Sequence, residues 1–237
     1  MTKVFCDIAD VNLIKKFDKK NIVKGFTTNP SLMHKEGVTN YEEYCKDALK
    51  VTSNLPISFE VFSDDLKDME EEARIINSWG GNSYVKIPIS NTKGESTSNV
   101  IKNLNKDNIK LNITAIFTVD QLKNILDSFN NPTPSIISVF AGRIADSGLD
   151  PMKIMNECAQ IVKSKENMEL LWASSREVLN IFQAEESNSQ IITIAPEILD
   201  KLKFLNKDLN EFSLDTVKDF FKDANSAGFN LLKKDSH

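Results

Sequence analysis

Short apolar runs alternate with longer amphipathic segments along most of the chain. The apolar runs, rich in β-branched residues, predict eight strands at residues 4–9, 25–29, 57–62, 84–88, 111–117, 135–141, 170–174 and 191–195. Helical spacing of apolar residues between the runs predicts helices, among them 65–79, 119–129, 151–163 and 177–184. Residues typical of helix N-caps stand before these segments, namely Asp64 or Asp65, Asp150, and Ser174 or Ser175.

The regular alternation of strand and helix indicates an α/β fold with parallel strands. Eight such units close into a (β/α)8 barrel, and an open doubly wound sheet is the alternative on pattern alone. The chain shows no linker and no repeat smaller than the strand–helix unit. We therefore expect one domain over residues 1–237.

One amphipathic segment is left over after the eighth unit. Beyond a helix near 197–205, residues 213–234 place Leu214, Val217, Phe220, Phe221 and Ala224 on roughly one face. A closed barrel does not need this helix. We expect it to cover a barrel mouth or to lie on a neighbouring subunit, and the second option predicts a homo-oligomer.

Composition narrows the class of protein. The 237 residues are 41% apolar and 27% charged, with a net charge of −5 and three widely spaced cysteines. No apolar run approaches the roughly 20 residues of a membrane span, and the first residues do not resemble a secretory signal. These features predict a cytoplasmic globule that binds neither membrane nor nucleic acid.

Two cofactor classes lose support from the same inspection. The chain contains two histidines, His34 and His237, too few for a histidine-rich zinc site. It also lacks a Walker-type glycine loop and a G-x-G-x-x-G motif, so nucleotide-binding folds are not favoured. A histidine-rich zinc site and a nucleotide-cradling fold are therefore not expected.

Polar side chains collect where the predicted strands end. In a (β/α)8 barrel the carboxyl ends of the strands form one mouth, and residues two apart on a strand share a face. Acidic, amine, amide and hydroxyl side chains and two of the chain's three arginines fall at this end. They are Asp7 of strand one; Ser58, Glu60 and Phe62 of strand three; Lys86 of strand four; Asn112 and Thr114 of strand five; Ser138 and Phe140 of strand six, with Arg143 just beyond it; and Ser174 of strand seven, followed by Arg176.

Lys86 is the most informative of these residues because it lies inside a strand, in Y-V-K-I-P. A lysine facing a barrel interior is costly unless it is paired or loses its charge, and a neutral amine can form a Schiff base with a ketone. Each residue also has a structural interpretation. Lys86 could point outward, Asp7 could bind backbone N–H groups, Glu60 could form an ion pair with Lys86, and the arginines could form surface pairs. Their joint placement at one mouth favours a functional site.

At this point the sequence resembles the transaldolase family, in particular its short branch, which also contains fructose 6-phosphate aldolases. The similar segments run in order through the whole predicted barrel: D-I-A-D at 7–10, G-F-T-T-N-P-S-L at 25–32, V-K-I-P at 85–88, N-I-T-A-I-F at 112–117, S-V-F-A-G-R-I at 138–144 and A-S-S-R at 173–176. The second of these is a highly specific string.

The resemblance implies a role for each matching residue. Lys86 would form an imine with C2 of a ketose phosphate, Asp7 would take the proton of the C4 hydroxyl, and Glu60 and Thr114 would move protons through a water. The remaining matches would bind substrate: Asn29, Asn112 and Ser138 the dihydroxyacetone hydroxyls, Phe140 the cavity wall, and Arg143, Ser174 and Arg176 the phosphate. The imine serves as the electron sink, so this chemistry requires no cofactor.

Three positions favour a transferase over an aldolase. The related aldolases carry Gln, Tyr and Lys where this chain has Glu60, Phe140 and Arg176. The sequence departs from the family pattern at Phe26, at Ser175 and in the segment 89–98, which is looser than the usual loop. We therefore predict a transaldolase of the pentose phosphate pathway. An aldolase on the same site and a non-catalytic sugar-phosphate-binding barrel are the alternatives. The resemblance to short members of the family implies a decamer built from two pentamers.

Overall fold

The computed structural model describes residues 1–20, 22–52 and 54–231. The chain divides into two compact units, Met1–Leu199 and a shorter unit that begins at Asp200. The prediction of a single domain over 1–237 is not tested by this division.

The first unit is a closed barrel of eight parallel strands in sequence order. The strands are β1 (Lys3–Asp7), β2 (Phe26–Thr27), β3 (Ile57–Glu60), β4 (Ser83–Pro88), β5 (Leu111–Ile116), β6 (Ser135–Val139), β7 (Met168–Trp172) and β8 (Ile191–Ile194). β1 pairs with both β2 and β8, which closes the barrel. The predicted (β/α)8 fold is confirmed, and the open sheet is not formed.

Helices follow the strands around the barrel. They are α1 (Val11–Lys20), α2 (Pro30–Lys35), α3 (Tyr41–Val51), α4 (Leu66–Ser78), α5 (Ser98–Lys106), α6 (Val119–Leu126), α7 (Ala141–Asp146), α8 (Met152–Val162), α9 (Leu179–Glu186) and α10 (Pro196–Lys201). A 3-10 turn, Leu202–Phe204, follows α10. The helix predicted near 197–205 is therefore an α-helix completed by a tighter turn.

Most strands end one or two residues earlier than the sequence pattern predicts. The residues beyond β1 and β3, Ile8, Ala9 and Val61, remain buried, so the apolar pattern continues past the last residue of the strand. Phe62 was predicted to share the inward face of β3 with Glu60. It instead follows the strand and is 65% exposed, so that prediction is wrong.

Two of the predicted N-cap positions contribute capping side chains. The carboxylate of Asp65 accepts hydrogen bonds from the N–H groups of Lys67 and Asp68 at the start of α4. The carboxylate of Asp150 accepts one from Met152, although Pro151 is the residue that directly precedes α8. Both contacts satisfy N–H groups that lack partners within the helix.

The third predicted N-cap, Ser174 or Ser175, is wrong. Helix α9 begins later, at Leu179, and Ser174 has a φ of 59°, in the left-handed region. The side-chain oxygen of Asn180 accepts the hydrogen bonds of the Arg176 and Glu177 N–H groups in place of a serine cap. The segment between β7 and α9 is thus a loop fixed by an amide.

The barrel interior is apolar at one level and polar at the next. Phe5, Ile136, Leu171 and Ile191 form a buried core cluster together with Ala173. Two residues further along their strands stand Asp7, Ser138 and Thr193 on the same inward faces, because strand side chains repeat every second residue. The polar level therefore lies at the carboxyl ends of the strands.

The second unit contains one long helix, α11 (Leu209–Ser226), whose N-terminus is capped by Asp208. The helix was predicted over 213–234. It begins four residues earlier and ends earlier, and the last predicted residues, 232–234, lie outside the described part of the chain. None of the described α11 residues is buried, and Leu214, Val217, Phe220 and Phe221 are exposed. No helix in the described ranges is long and apolar enough to cross a membrane.

Candidate active site

A cavity of about 480 Å³ opens at the carboxyl ends of the strands. All of the residues predicted to form the site line it except Asn112. The lining residues from that set are Asp7, Asn29, Glu60, Lys86, Thr114, Ser138, Phe140, Arg143, Ser174 and Arg176. The structure therefore brings together residues that are up to 169 positions apart in the chain.

Lys86 projects from β4 and is 7% exposed. Its Nζ atom lies 3.0 Å from Oε2 of Glu60 and donates a 3.1 Å hydrogen bond to the carbonyl oxygen of Thr28. Glu60 and Lys86 are register partners on adjacent parallel strands, which places the two side chains together. The lysine is thus a buried amine with one carboxylate partner and one face toward the cavity.

Asp7 is the last residue of β1 and is held by hydroxyl groups from neighbouring strands. Its Oδ1 accepts a 2.7 Å hydrogen bond from Thr27, whose hydroxyl is 2.6 Å from that of Thr193. A threonine hydroxyl has one proton, so when Thr27 donates to Asp7, Thr193 must donate to Thr27. Among the described residues no hydroxyl engages the other oxygen, Oδ2, which accepts a longer hydrogen bond from the amide of Asn29.

Burial raises the pKa of the Asp7 carboxyl above the ordinary range of aspartate. The positive charge of Lys86 and the hydrogen bond from Thr27 oppose this rise, and the negative charge of Glu60 adds to it. A carboxylate with a raised pKa is a stronger base than an ordinary aspartate. Asp7 is therefore suited to accepting a proton.

Asn29 connects the cavity to the start of α2. Its Oδ1 accepts a 2.9 Å hydrogen bond from the N–H of Leu32 and caps the helix, with Pro30 at the first helical position. Its Nδ2 lies 3.4 Å from Oδ2 of Asp7. Because the cap fixes the orientation of the amide, the N–H₂ end faces the cavity.

Thr114 has a buried hydroxyl with no hydrogen-bond partner among the described residues. It lies on β5, immediately before Ala115, which has a φ of 59°. The pairing of β5 with β6 changes register between Ile113 and Ile116, at the same place. A left-handed alanine inside a strand is strained, and such strain accumulates at functional sites. The free hydroxyl indicates a position for a water or a ligand oxygen.

Asn112 lies beneath the cavity rather than on its wall. Its Nδ2 donates to Oγ of Ser58 at 2.9 Å, and its Oδ1 accepts from Oγ of Ser138 at 2.6 Å. The side chain is fully buried. Asn112 therefore orients Ser138, which does line the cavity.

The short helix α7, which follows β6, carries an arginine stacked on an aromatic ring. The guanidinium carbon of Arg143 is 5.5 Å from the centroid of Phe140, and the Phe140 ring is tilted against Phe117. Phe140 was assigned to a strand, but it directly precedes α7. It nevertheless lines the cavity as expected.

Gly142 lets helix α7 approach the loop after β7 closely. A Cβ atom at Gly142 would lie 1.6 Å from the carbonyl oxygen of Ser174, a distance that no side chain tolerates. The N–H of Gly142 also donates to the carbonyl of Ala173. Helix α7, which carries Arg143, and the loop that carries Arg176 are therefore packed backbone to backbone.

Arg176 forms an ion pair on the cavity rim. Its Nη2 is 2.5 Å from Oδ2 of Asp146, the last residue of α7, and its Nε is 3.1 Å from Oδ1. The guanidinium lowers the pKa of the Asp146 carboxyl by hydrogen bonding to it. Asp146 does not line the cavity and was not predicted.

Several lining residues were missed by sequence reasoning. Thr27 and Thr193 form the hydroxyl pair at Asp7, and Lys35 of α2 contributes a further cation. Thr27 stands two residues before Asn29 and Thr193 two residues after the core residue Ile191, so strand alternation could have found both. Lys35 is the last residue of α2, five positions after Pro30, and the sequence offers no comparable signal there.

Two features outside the cavity also bear on the predictions. Cys6 is buried beside Asp7, and burial raises the pKa of its thiol, as suits a core residue. The segment 89–98 was expected to be loose, but a bridge between Ser90 and Ser96 closes it, and Thr92 donates to Asp64 through both its N–H and its hydroxyl. The loop is therefore well hydrogen-bonded.

The fold and the site define a (β/α)8-barrel protein with a buried lysine–carboxylate site and two arginines at the carboxyl ends of its strands. A family model described as "Transaldolase/Fructose-6-phosphate aldolase" matches residues 4–234. The chain belongs to this family, whose members are enzymes of the transferase or aldolase type.

Individual relatives agree with the family match. A protein named "Probable transaldolase" from Nitrosopumilus maritimus is 30% identical over 93% of this chain and 95% of its own length. One of the same name from Methanococcus maripaludis is 34% identical over 84% of this chain and 89% of its own. A solved structure of 3-hexulose-6-phosphate synthase, 13% identical with a TM-score of 0.59, covers 82% of this chain and 90% of that chain, and shares the fold alone.

Proposed function

We propose that this chain is a transaldolase. It would transfer a dihydroxyacetone unit from sedoheptulose 7-phosphate or fructose 6-phosphate to glyceraldehyde 3-phosphate or erythrose 4-phosphate, a step of the pentose phosphate pathway. The observation that carries the proposal is the buried Lys86 amine, 3.0 Å from Glu60 in the cavity that Asp7 also lines.

In the proposed first step, Nζ of Lys86 attacks C2 of the ketose and the C2 oxygen leaves as water, which gives an imine. The two protons that water needs come from the amine and from an acid, a role suited to Glu60 because it contacts Nζ directly. The unpartnered hydroxyl of Thr114 supports a bound water near this pair. Such a water would pass protons during imine formation and hydrolysis.

In the second step, Asp7 takes the proton of the C4 hydroxyl. The C3–C4 bond breaks, its electron pair moves into the imine to form an enamine, and the aldose phosphate leaves. The raised pKa of Asp7 supports its role as this base. The acceptor aldehyde then reverses the step: C3 attacks its carbonyl carbon, and Asp7 returns the proton to its oxygen.

Polar groups on the remaining walls would hold the substrate. Asn29 and Ser138 are placed to bind the hydroxyls of the three-carbon unit, and Asn112 would support Ser138 from beneath. Arg143, Ser174 and Arg176 would bind the phosphate, since arginines bind phosphate in bidentate geometry.

The presence of Glu60, where the related aldolases carry Gln, supports transfer over release of the three-carbon unit. In a transaldolase the enamine must survive until the acceptor arrives, whereas an aldolase protonates and hydrolyses it. Two alternatives remain. One is a fructose 6-phosphate aldolase-like lyase on the same site, and the other is a sugar-phosphate-binding barrel without catalysis. Both differ from the proposal in the products that are formed.

A product assay separates these functions. The chain is incubated with fructose 6-phosphate, with and without erythrose 4-phosphate, and the products are resolved by mass. We expect sedoheptulose 7-phosphate only when the acceptor is present, with little free dihydroxyacetone. Free dihydroxyacetone at the same rate without acceptor would identify an aldolase, and no product in either mixture would favour the binding barrel.

We further propose that the chain acts in the cytoplasm as a homo-oligomer, with a decamer as the expected state. The exposed apolar residues of α11 support association, because large unpartnered apolar surfaces are unusual in monomers. Light scattering after size-exclusion chromatography measures the mass. A particle of 26.7 kDa would contradict the proposed association.

A further inference from the structure

Asp146 makes contacts that the proposed mechanism does not use. Its carboxylate binds the Nε/Nη2 edge of Arg176, with Oδ1 at 3.1 Å from Nε and Oδ2 at 2.5 Å from Nη2. Arg176 lines the cavity, whereas Asp146 does not. The carboxylate therefore holds the guanidinium from outside the cavity.

Asp146 engages two of the five N–H donors of the Arg176 guanidinium and leaves the other three. A guanidinium has five N–H donors in a planar fork, and Asp146 engages the Nε proton and one Nη2 proton. The two protons on Nη1 and the second proton on Nη2 form another edge, which suits a bidentate anion. A phosphate can bind that edge without displacing Asp146.

The main chain around this pair is fixed on both sides. Asn180 accepts the N–H of Arg176, and the loop before it contacts Gly142 of α7 backbone to backbone. Asp146 stands on the same short helix as Arg143, three residues further along. One helix thus presents Arg143 directly and restrains the orientation of Arg176 through Asp146.

We propose that Asp146 is a positioning residue for phosphate, which orients Arg176 so that its Nη1/Nη2 edge faces the cavity; this inference rests on the proposed function. A purely structural role is disfavoured because both side chains are about half exposed, and exposed ion pairs contribute little to stability. The consequence of the pair lies instead in what Arg176 can bind.

Charge alone predicts the opposite effect of removing Asp146. A carboxylate near an anion site weakens anion binding, so its removal would strengthen the binding of phosphate if electrostatics decided the outcome. If orientation decides, removal weakens binding. The sign of the change therefore distinguishes the two accounts.

The first test measures the binding of inorganic phosphate by titration calorimetry, which needs no turnover. For Asp146→Asn, which keeps the size of the side chain, we expect phosphate to bind about fivefold more weakly. The matched control is Asp107→Asn, which removes the same charge from an exposed pair with Arg74 outside the cavity. We expect no change for the control.

The second test asks whether Asp146 acts through Arg176. We expect Asp146→Asn to lower kcat/KM for glyceraldehyde 3-phosphate through KM, with kcat kept, and to leave kcat/KM for unphosphorylated glyceraldehyde unchanged. In an Arg176→Ala background the same substitution should have no further effect. Asp146→Glu should recover part of the loss, because it restores a carboxylate.

Tighter phosphate binding by Asp146→Asn, no change, or a loss that persists without Arg176 would overturn the inference. The fate of the proposed function is read separately, from borohydride trapping of an imine with dihydroxyacetone. If no imine forms while Asp146→Asn still weakens phosphate binding, the proposed function fails and the role of Asp146 stands.

Discussion

The two sides of the cavity are built in different ways. On one side, Asp7, Glu60 and Lys86 project from β1, β3 and β4, and Lys86 is 7% exposed. On the other side, Arg143 and Arg176 stand beyond the ends of β6 and β7, and the Arg176 side chain is 46% exposed. Groups proposed to make and break bonds are therefore on rigid strands, and groups proposed to recognise phosphate are on a short helix, α7, and on the loop after β7.

The difference reflects what each task needs from its surroundings. Burial changes the pKa of an ionisable group, and strands hold such groups at fixed distances. An exposed arginine keeps its charge, and a loop can place it at the rim where the phosphate end of a sugar enters. The variants below address the two sides separately.

Removing the amine should have the largest effect. For Lys86→Met, which fills similar space without a nucleophile, we expect turnover to fall by at least about 10³-fold. Lys110→Met is a matched control, because Lys110 pairs with Asn82 and stacks over Tyr84 away from the cavity. Retained turnover in Lys86→Met would show that the lysine side of the cavity is not the reacting side.

Disrupting the contact between helix α7 and the loop after β7, which carry the two arginines, should have the second largest effect. For Gly142→Ala the new Cβ would meet the carbonyl of Ser174, and we expect a loss of about 1–3 kcal/mol in the free energy of unfolding. We also expect a rise in KM for sugar phosphates that exceeds the fall in kcat. Thermal melts and steady-state kinetics measure both.

Gly148→Ala is the control for this substitution. Gly148 has a φ of 83° and open space around its Cβ position, so alanine there tests backbone strain without a clash. We expect a smaller loss of stability and an unchanged KM. Equal changes in stability and KM for the two variants would argue against a special contact between helix α7 and the loop after β7.

Removing the hydroxyl that supports Asp7 should have a moderate effect, of about tenfold in kcat at neutral pH. Thr27 donates to Asp7 and lowers its pKa, so Thr27→Val should raise that pKa further. Because Asp7 must be deprotonated to act as a base, the acid limb of the kcat–pH profile should move to higher pH. Lys86 and Glu60 also face Asp7 and remain in place.

The matched control is Thr28→Val. Its hydroxyl donates to the carbonyl of Ser58 and does not contact Asp7, so the acid limb should not move. For the unmodified protein, the limb should already lie above the usual range of aspartate, because burial raises the pKa of Asp7. A profile that is flat between about pH 5 and 9 would contradict the role of Asp7 as the base.

Salt should have the smallest effect and should act on one side only. Raising ionic strength from about 0.1 M to about 1 M shortens the Debye length from about 10 Å to about 3 Å. We expect KM for fructose 6-phosphate to rise by about two- to threefold, because the arginines are exposed. The rate of imine formation from unphosphorylated dihydroxyacetone should stay constant, and equal sensitivity of both would remove the distinction between the sides.

The same contrast explains what could be predicted from the sequence. The barrel followed from the alternation of strands and helices, and Lys86 and Glu60 were found because a polar residue inside an apolar strand is conspicuous. Strand ends were placed too far along because residues such as Ile8 and Val61 stay buried beyond the last residue of the strand. Periodicity reports burial, not hydrogen bonding.

On the side of the cavity that carries the arginines, the sequence located Arg143 and Arg176 but not the residues around them. The elements that carry Asp146 and Arg176 meet where Gly142 approaches the left-handed Ser174, and neither feature follows from spacing. Asn112 illustrates the same limit on the strand side. Its place at the strand end was predicted, but only the coordinates put it beneath Ser138, away from the cavity wall.

The central claim is that Lys86 forms a covalent imine with a ketose phosphate. Borohydride reduction in the presence of fructose 6-phosphate, followed by intact and peptide mass measurement, tests it most directly. The account predicts one three-carbon adduct per chain, located on Lys86 and lost when erythrose 4-phosphate is added before the reductant. A folded protein that binds the sugar phosphate and yields no adduct, or an adduct on another lysine, would contradict it.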